Sequence, residues 1–498
     1  MAATRSVIVI CTRLALASCT GAASAAQAGL RAPARRVVYA HPARMALGPA
    51  DERFVRWVAE KSPSSISKVE LATFPPGLRG LRATRPLPAR DESITWPASL
   101  ALEVTTGKRA PERVPKPLWA ESQWYTQLAL LLLAQHALGD ESKLAPWIAA
   151  LPREFDTPYS WGADDVEALH YPHLAVAIAE QRAEWAKIHA AVHASGIGYS
   201  RKQLEWALHC VRSRAFSGAY EGSTPQQRIG LVGFIALLTV LYPLSGAGSW
   251  SDALSGAVAG LIFIVARDVI SPRVLGLKRY VLCPLIDMLN HDGTVPSDVQ
   301  YRVFSDTFCV TAEREVGTGD EVRISYGPRS NDQLLQYHGF VERGCVHDAY
   351  IMSAFLSHVD TACGVSDGAL DRLEREGLLA ALRRGIRLDC EGACDEPSIE
   401  LTRRLCDALG GQLTPADALL AACRLERQAM PTTLGADVAE LAQLAARRKQ
   451  GKAGPAKASK GFDPTAVDER RRTILDFRVA KKTILDKAIS ALERQSRD

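Results

Sequence analysis

Two β-rich stretches of this chain, residues 70–104 and 281–326, are held apart by a long run of helical pattern. The first has short runs such as "ELATF" and "LRGLRA", punctuated by Gly77 and Gly80. The second has "YVLC", "VQYRVF", "FCVTAEREV" and "EVRISYG", separated by polar turns such as "GTGD". The order is therefore β, helical insert, β, then a helical C-terminal lobe. A core of this kind is a split β-core in an α+β fold, its sheet strands drawn from both sides of the insert.

The helical stretches are set by breakers. Residues 118–150 read as helix until Pro152 and Pro158 interrupt them in "LPREFDTPYSW". Residues 164–193 and 201–216 read as two further helices, and the chain after Gly339 reads as helical to its end. Leu485, Ala488, Ile489 and Leu492 fall at helical spacing in the last of these. Residues 447–461, "RRKQGKAGPAKASKG", are basic and small, the composition of a mobile loop.

Residues 217–280 break the ordinary pattern. No charge occurs from Ile229 to Ser251, and none from Ala253 to Ala266; Pro243, Gly246 and Gly248 mark a turn between the two runs. The pair reads as a helical hairpin. Its first strongly apolar part, 229–242, is short against the ~20 residues of a bilayer crossing. Buried core helices and a re-entrant or membrane-associated hairpin both fit, so 229–266 is a candidate for membrane association.

Charge is distributed unevenly. The formal net charge is +5, yet residues 1–50 hold six arginines and no acid, which leaves the remainder at −1. A body without net basic charge is not a nucleic-acid binder by charge. The basic, acid-free, small-residue N-terminus is a targeting composition. It reads as a two-part plastid presequence, with a plain plastid or mitochondrial transit peptide and a disordered tail of a cytosolic protein as alternatives. Eleven cysteines are scattered; Cys390 and Cys394 lack a second pair at ligand spacing, so no structural metal site is expected.

The chemistry gathers in "CPLIDMLNHD", residues 283–292. Asp287, Asn290 and His291 follow an apolar run with no glycine between them. By residue type alone this is a satisfied polar core, a metal site or a pocket for a polar ligand. Three stretches belong with it: "SRAF" at 213–216, "PLIDMLNHD" at 284–292 and "GDEVRISYGPRSNDQLLQYHGFVE" at 319–342. Together they resemble the SET-domain protein methyltransferases of the Rubisco large-subunit lysine methyltransferase type, and the resemblance covers most of the chain. "GLRGLRATRPL" is similar to the opening turn of that family's split core, "LPREFDTPYSW" to its insert region, and "FRVAKKTILDKAI" to a helix of its substrate-binding lobe.

The resemblance implies a SET domain over 51–340, with a helical insert at about 110–200 and the apolar hairpin at about 217–280, and a substrate-binding lobe over 341–498. It implies S-adenosyl-L-methionine as cofactor, a lysine-bearing protein as substrate and partner, and no metal. Rubisco large subunit and plastid aldolase are substrates of relatives. Methyl transfer from a sulfonium is an in-line displacement with a neutral leaving group, so the site must supply alignment, a neutral amine and a dry channel. The matched positions are Tyr326 as the catalytic phenol; Asn290 and His291 as the cofactor-binding pair; Arg214 as a clamp on the cofactor carboxylate; and Arg79 and Gly80 as backbone contacts to the cofactor. Ser213, Asp287, Tyr301 and Ile324 match the lysine channel, the last through its backbone carbonyl. Two departures stand out. His338 occupies the place of a cofactor-stacking tyrosine, and an imidazole there can titrate near neutral pH. Gly77 stands where relatives can carry Glu. They leave open methylation of another side chain, such as histidine, and a non-catalytic SET-like binding module.

Overall fold

The computed structural model describes residues 48–74, 77–105, 109–112, 114–219, 225–266, 270, 278–296, 299–302, 305–411, 413–449 and 464–495. The targeting segment expected over 1–50 lies almost wholly outside these residues, as does most of the basic loop at 447–461.

Four strands come before the insert: β1 (Val69–Phe74), β2 (Leu78–Ala83), β3 (Asp91–Pro97) and β4 (Leu102–Thr105). Six follow or end it: β5 (Phe216–Ala219), β6 (Lys278–Leu282), β7 (Asn290–His291), β8 (Val299–Arg302), β9 (Thr307–Ala312) and β10 (Glu321–Ile324). They form three small sheets ordered β1-β2-β10-β7, β3-β9-β8 and β4-β6-β5. Each sheet joins strands from both stretches, so neither stretch closes a sheet without the other. β10 runs antiparallel to β2, with Glu321 opposite Arg82, and parallel to β7, with Arg323 opposite Asn290 and Ile324 opposite His291. That double pairing sets the site, because β10 leads straight to Tyr326.

The short strands β4 and β10 alternate buried and half-buried residues, while β1, β2, β3 and β9 carry consecutive buried positions. In β3, Ile94 and Trp96 are buried, and they join one apolar core with Leu81, Leu128, Trp147 and Ile324. Helices of the insert cover this core. Among them Trp124–Ala137 buries Leu128, Leu130, Leu132 and Leu133 and packs on Arg201–Arg214. The latter opens on a capping box: the Ser200 hydroxyl accepts from the Gln203 N–H while the Gln203 side chain accepts from Ser200 N–H. The run expected as one helix over 164–193 is two, Ala163–Glu167 and Pro172–Ala194. Pro172 cannot continue the first, and His170 before it takes φ 52°.

The C-terminal lobe has its own core around Tyr350, Phe355, Phe477 and Leu485, and this core recruits Trp161, Tyr171 and Leu174 from the insert. It contains a two-stranded sheet that the helical reading lacked: β11 (Ala349–Met352) pairs antiparallel with β12 (Ile386–Asp389). Each strand is four residues long, too short for an alternating pattern to be read.

Residues 217–280 form the expected hairpin as an excursion between two paired strands. β5 and β6 are antiparallel, ending at the pair Ala219–Lys278, and between them stand helices Pro225–Leu244 and Trp250–Val265. The helices pack along one narrow stripe: Leu231, Ile235, Thr239 and Pro243 are half-buried on the first, and Ala253 and Ile264 are buried on the second. Gly260 lies against Ile235 there, where a Cβ would come within 3.0 Å of its Cδ1. The rest of both circumferences is exposed and apolar, including Phe234, Leu237, Leu254 and Phe263. Burial in the core, one of the two readings, is not what these helices do.

Candidate active site

A cleft of about 920 Å³ lies where β2, β7, β10 and the insert meet. Its size is that of a site for a cofactor-sized ligand. Of the residues singled out in the sequence, Arg79, Ser213, Arg214, Asp287, Asn290, His291, Tyr326 and His338 line it.

The turn after β6 places the acid. Leu285 takes a left-handed conformation, φ 66°, which reverses the chain so that the Asp287 N–H reaches the Cys283 carbonyl at 2.9 Å. The Asp287 side chain is then fully buried. Its Oδ2 accepts from Trp147 Nε1 at 3.0 Å and lies 3.4 Å from Arg214 Nη1. The same guanidinium nitrogen donates to the Asp287 carbonyl at 2.7 Å. Two atoms are left over: Asp287 Oδ1 and Arg214 Nε are buried with no partner in the protein. Buried polar atoms are normally paired, so an acceptor and a donor are here available to something else. Burial lifts the Asp287 carboxyl above the usual carboxylate range, with the Arg214 charge opposing that shift.

Asn290 is held from the sheet side. Its Nδ2 donates to Glu321 Oε1 at 2.7 Å and to the Arg79 carbonyl at 3.2 Å. This close approach depends on Gly80, where a Cβ would come within 2.6 Å of Asn290 Nδ2 and 3.0 Å of Glu321 Oε1. The Arg79 side chain turns away to Asp51 Oδ1 at 2.9 Å and the Ala150 carbonyl at 2.7 Å.

His291 and Tyr326 are locked together. The Tyr326 N–H donates to His291 Nδ1 at 3.0 Å, so the ring carries its proton on Nε2, which faces Glu342 Oε2 at 3.4 Å. The hydrogen bond from His291 is the main reason the Glu342 carboxyl is held down at about 2. The Tyr326 hydroxyl donates to the Leu289 carbonyl at 2.8 Å, and burial pushes its phenol up to about 12. Its ring stacks on His338, centroids 4.9 Å apart, and lies 5.0 Å from the His291 ring. His338 is pulled down to about 3 by burial, then by Arg329, so it stands as a neutral ring. This corrects the expectation of an imidazole that titrates near neutral pH.

Three expected positions sit differently. Tyr301 is outside the cleft lining: its hydroxyl donates to Asp306 Oδ1 at 2.8 Å, its ring lies against Phe308, and Arg279 sits 4.2 Å over it. A β8 side chain on that face points to the neighbouring strand β9. The Ile324 carbonyl already accepts from the Asp292 N–H at 3.0 Å, and its side chain is wholly buried. The Ser213 hydroxyl lines the cleft but bonds back to the His209 carbonyl at 2.7 Å.

Other residues of the site were not singled out. Trp147 orients Asp287 from a helix 140 residues away in sequence, a distance no local pattern bridges. Glu321 and Glu342 sit inside the quoted stretch 319–342, and their spacing to Tyr326 was the available signal. Glu342 continues outward: its N–H donates to Asn331 Oδ1 at 2.8 Å, Asn331 Nδ2 to Asp348 Oδ2 at 2.8 Å, and Lys481 Nζ to Asp348 Oδ1 at 2.7 Å. A continuous polar chain thus runs from the C-terminal helix to the backbone of Tyr326. The loop "LPREFDTPYSW" closes the cleft wall, and Gly339, φ 77°, lets it approach, since a Cβ there would strike the Asp156 carbonyl.

Comparison with known proteins agrees with this architecture. The chain is similar to structures of Rubisco LSMT. One is the SET domain of LSMT bound to lysine and AdoHcy (TM-score 0.56, 15% identity, covering 91% of this chain and 93% of that one). Another is Rubisco LSMT bound to AdoMet (TM-score 0.55, 16% identity, the same coverage). In sequence it is similar to the actin-histidine N-methyltransferases of Rhinolophus ferrumequinum and Homo sapiens, each 24% identical over 302 residues, which is 59% of this chain and 43% of those proteins. The chain thus spans less than half the length of these curated relatives. No protein-family model matches it. The fold is the SET-domain fold, an α+β split core with a helical insert and a helical C-terminal lobe, of the Rubisco LSMT type.

Proposed function

We propose that this chain is a protein N-methyltransferase that uses S-adenosyl-L-methionine and acts on a lysine side chain of a plastid protein. The observation that carries the reading is the pair of unpartnered buried atoms, Arg214 Nε and Asp287 Oδ1, in the cleft that also holds Tyr326, Asn290 and His291. A donor and an acceptor of opposite charge suit one ligand that ends in a carboxylate and another that enters as an ammonium.

When bound, the cofactor supplies the electrophilic methyl group. The residues here bind and align. Arg214 offers its free Nε to the carboxylate, the main chain at Asn290 and His291 edges the cleft, and the neutral His338 ring gives a stacking face without adding a cation beside a sulfonium. Asp287 receives the lysine ammonium. The amine must lose its proton before it can attack. The proton passes to water at the cleft or to Asp287 Oδ1, whose carboxyl burial has made a better proton acceptor than usual, and burial favours the neutral amine. Tyr326 stays a phenol up to about 12, so its hydroxyl keeps its bond to the Leu289 carbonyl and its oxygen can face the transferring group.

A histidine acceptor is the second reading, favoured by the names of the relatives at 24% identity. The plastid assignment rests on the composition of residues 1–50. The test is transfer of labelled methyl groups from S-adenosyl-L-methionine onto a plastid extract, with the modified residue identified by mass spectrometry. Tyr326→Phe is expected to lower labelling by about 10–100-fold, the scale of lost alignment. Equal labelling by both proteins removes Tyr326 from the mechanism, methyl-histidine as product selects the second reading, and no labelling by the parent rejects the transferase.

A further inference from the structure

We propose that the hairpin Pro225–Leu244 and Trp250–Val265 is a lipid anchor, which enters the bilayer hydrocarbon without crossing it and returns to the same side. It places the catalytic core at a membrane surface and is independent of the acceptor chemistry.

The pattern of exposure selects lipid over a protein partner. Leu237 and Leu238 on the first helix, and Leu254 and Phe263 on the second, are all about half exposed or more. Large exposed side chains occupy nearly the whole circumference of each helix outside the shared stripe. A helix that is apolar all round belongs in a core or in lipid, whereas a surface helix has one apolar face. A second copy, docked on one side, would leave the opposite side in water; a fluid hydrocarbon covers every side. Charge agrees, for the stretch from Ile229 to Ala266 carries one charged residue, Asp252. That carboxylate accepts from the Ser249 N–H at 3.2 Å and from the Ser249 hydroxyl at 2.7 Å, so it enters with its hydrogen bonds made.

Geometry limits the depth. The apolar part of each helix, Ile229–Leu244 and Trp250–Val265, is about 24 Å long at ~1.5 Å per residue, short of the ~30 Å hydrocarbon layer. Among the described residues no helix is long and apolar enough to cross a membrane. Both ends return to the adjacent strands β5 and β6 at the pair Ala219–Lys278, so the excursion leaves and re-enters the core at one sheet edge.

The test is flotation of the full chain with vesicles of phosphatidylcholine and phosphatidylglycerol, in high salt. The parent is expected to float. Leu237→Asn combined with Phe263→Asn is expected to lower the floating fraction at least tenfold. So is replacement of residues 220–277 by Asn-Gly, a two-residue turn that suits an antiparallel pair. The double substitution should keep the parent's circular dichroism, and the excised chain should lose only the helical signal of Pro225–Leu244 and Trp250–Val265; if the excised chain does not fold, the double substitution of exposed residues decides. Brominated acyl chains should quench the parent's tryptophan fluorescence, and Trp250→Phe should lose that part of the quenching. A parent that stays in the dense fraction, or variants that float equally, overturn the proposal. So does flotation without quenching, which would mean adsorption to headgroups. Lipid-free dimers that both variants abolish, with no flotation of the parent, would assign the hairpin to a second copy instead.

Discussion

At His338 the fold overrides the ordinary chemistry of its side chain. Burial pulls this ring down to about 3, and burial likewise pulls His209 and His170 down to about 4. An unfolded histidine titrates near 6.5. As pH falls below that value, the unfolded chain takes up protons that the native rings refuse, so native stability falls with it. The loss runs from about 6.5 down to about 4 for His209 and His170, and to about 3 for His338. The slope is at most about 1.4 kcal/mol per pH unit for a fully shielded ring, and less for His170 and His338, which are only half-buried. Urea midpoints should therefore be lower at pH 5 than at pH 7, and His338→Gln should shrink the difference; an unchanged difference would mean that His338 takes its proton in the native cleft. At this scale the sequence was legible where short motifs carry the geometry. Asn290, His291 and Tyr326 meet in the cleft because "NH" pairs with the strand that ends in "ISYG". The place of Tyr301 beside Phe308 and Asp306 was not legible, because a strand residue's face depends on register, which "VQYRV" alone does not disclose. The role of Gly80 as the gap that admits Asn290 needed coordinates.

Among the elements, the C-terminal helix Pro464–Gln495 shows how apolar spacing hides polar burial. Leu485 and Ala488 sit in the core as their spacing implies, but Lys481 is buried beside them. It donates to Asp332 Oδ2 at 3.0 Å, Asp348 Oδ1 at 2.7 Å and the Ala349 carbonyl at 2.6 Å. In a sequence, "AKK" on an amphipathic helix reads as its solvated side; only the acids of another element, close in space, make it internal. Removing one partner of such a cluster leaves uncompensated buried charge, which costs about 3–5 kcal/mol. Lys481→Met is expected to lower the unfolding free energy by that amount in urea titration. Because the polar chain from Lys481 ends at His291 and the Tyr326 N–H, it should also weaken methyl transfer in protein that remains folded. A loss under ~1 kcal/mol would show that the acids find other partners. The hairpin was the reverse case: its helices were plain from the missing charges, and their surroundings were not, because hydropathy measures what a segment avoids and not what surrounds it.

For the whole molecule, the alternation of strand and helix patterns conveyed the split core, since strand and helix periods differ over windows of this length. Which strand of the first stretch meets which of the second was beyond reach, because pairing such as Glu321 with Arg82 is a contact between segments about 240 residues apart. That separation has a consequence in time. On a ribosome moving at about 5–20 residues per second, β2 is made roughly 12–50 s before β10. During that interval Leu81 and its neighbours present an unclosed strand edge, while the helices of the insert can already form. Nascent chains stopped before residue 321 should therefore stay protease-sensitive in β1 and β2 and associate with chaperones, and chains extended far enough past Tyr326 for β10 to clear the exit tunnel should become resistant in one step. Early resistance of the first stretch would show that it folds without its distant partner. For such a chain Tyr326 is among the last parts of the strand core to be made, so maturation of the cleft keeps pace with the ribosome's final passage through the core.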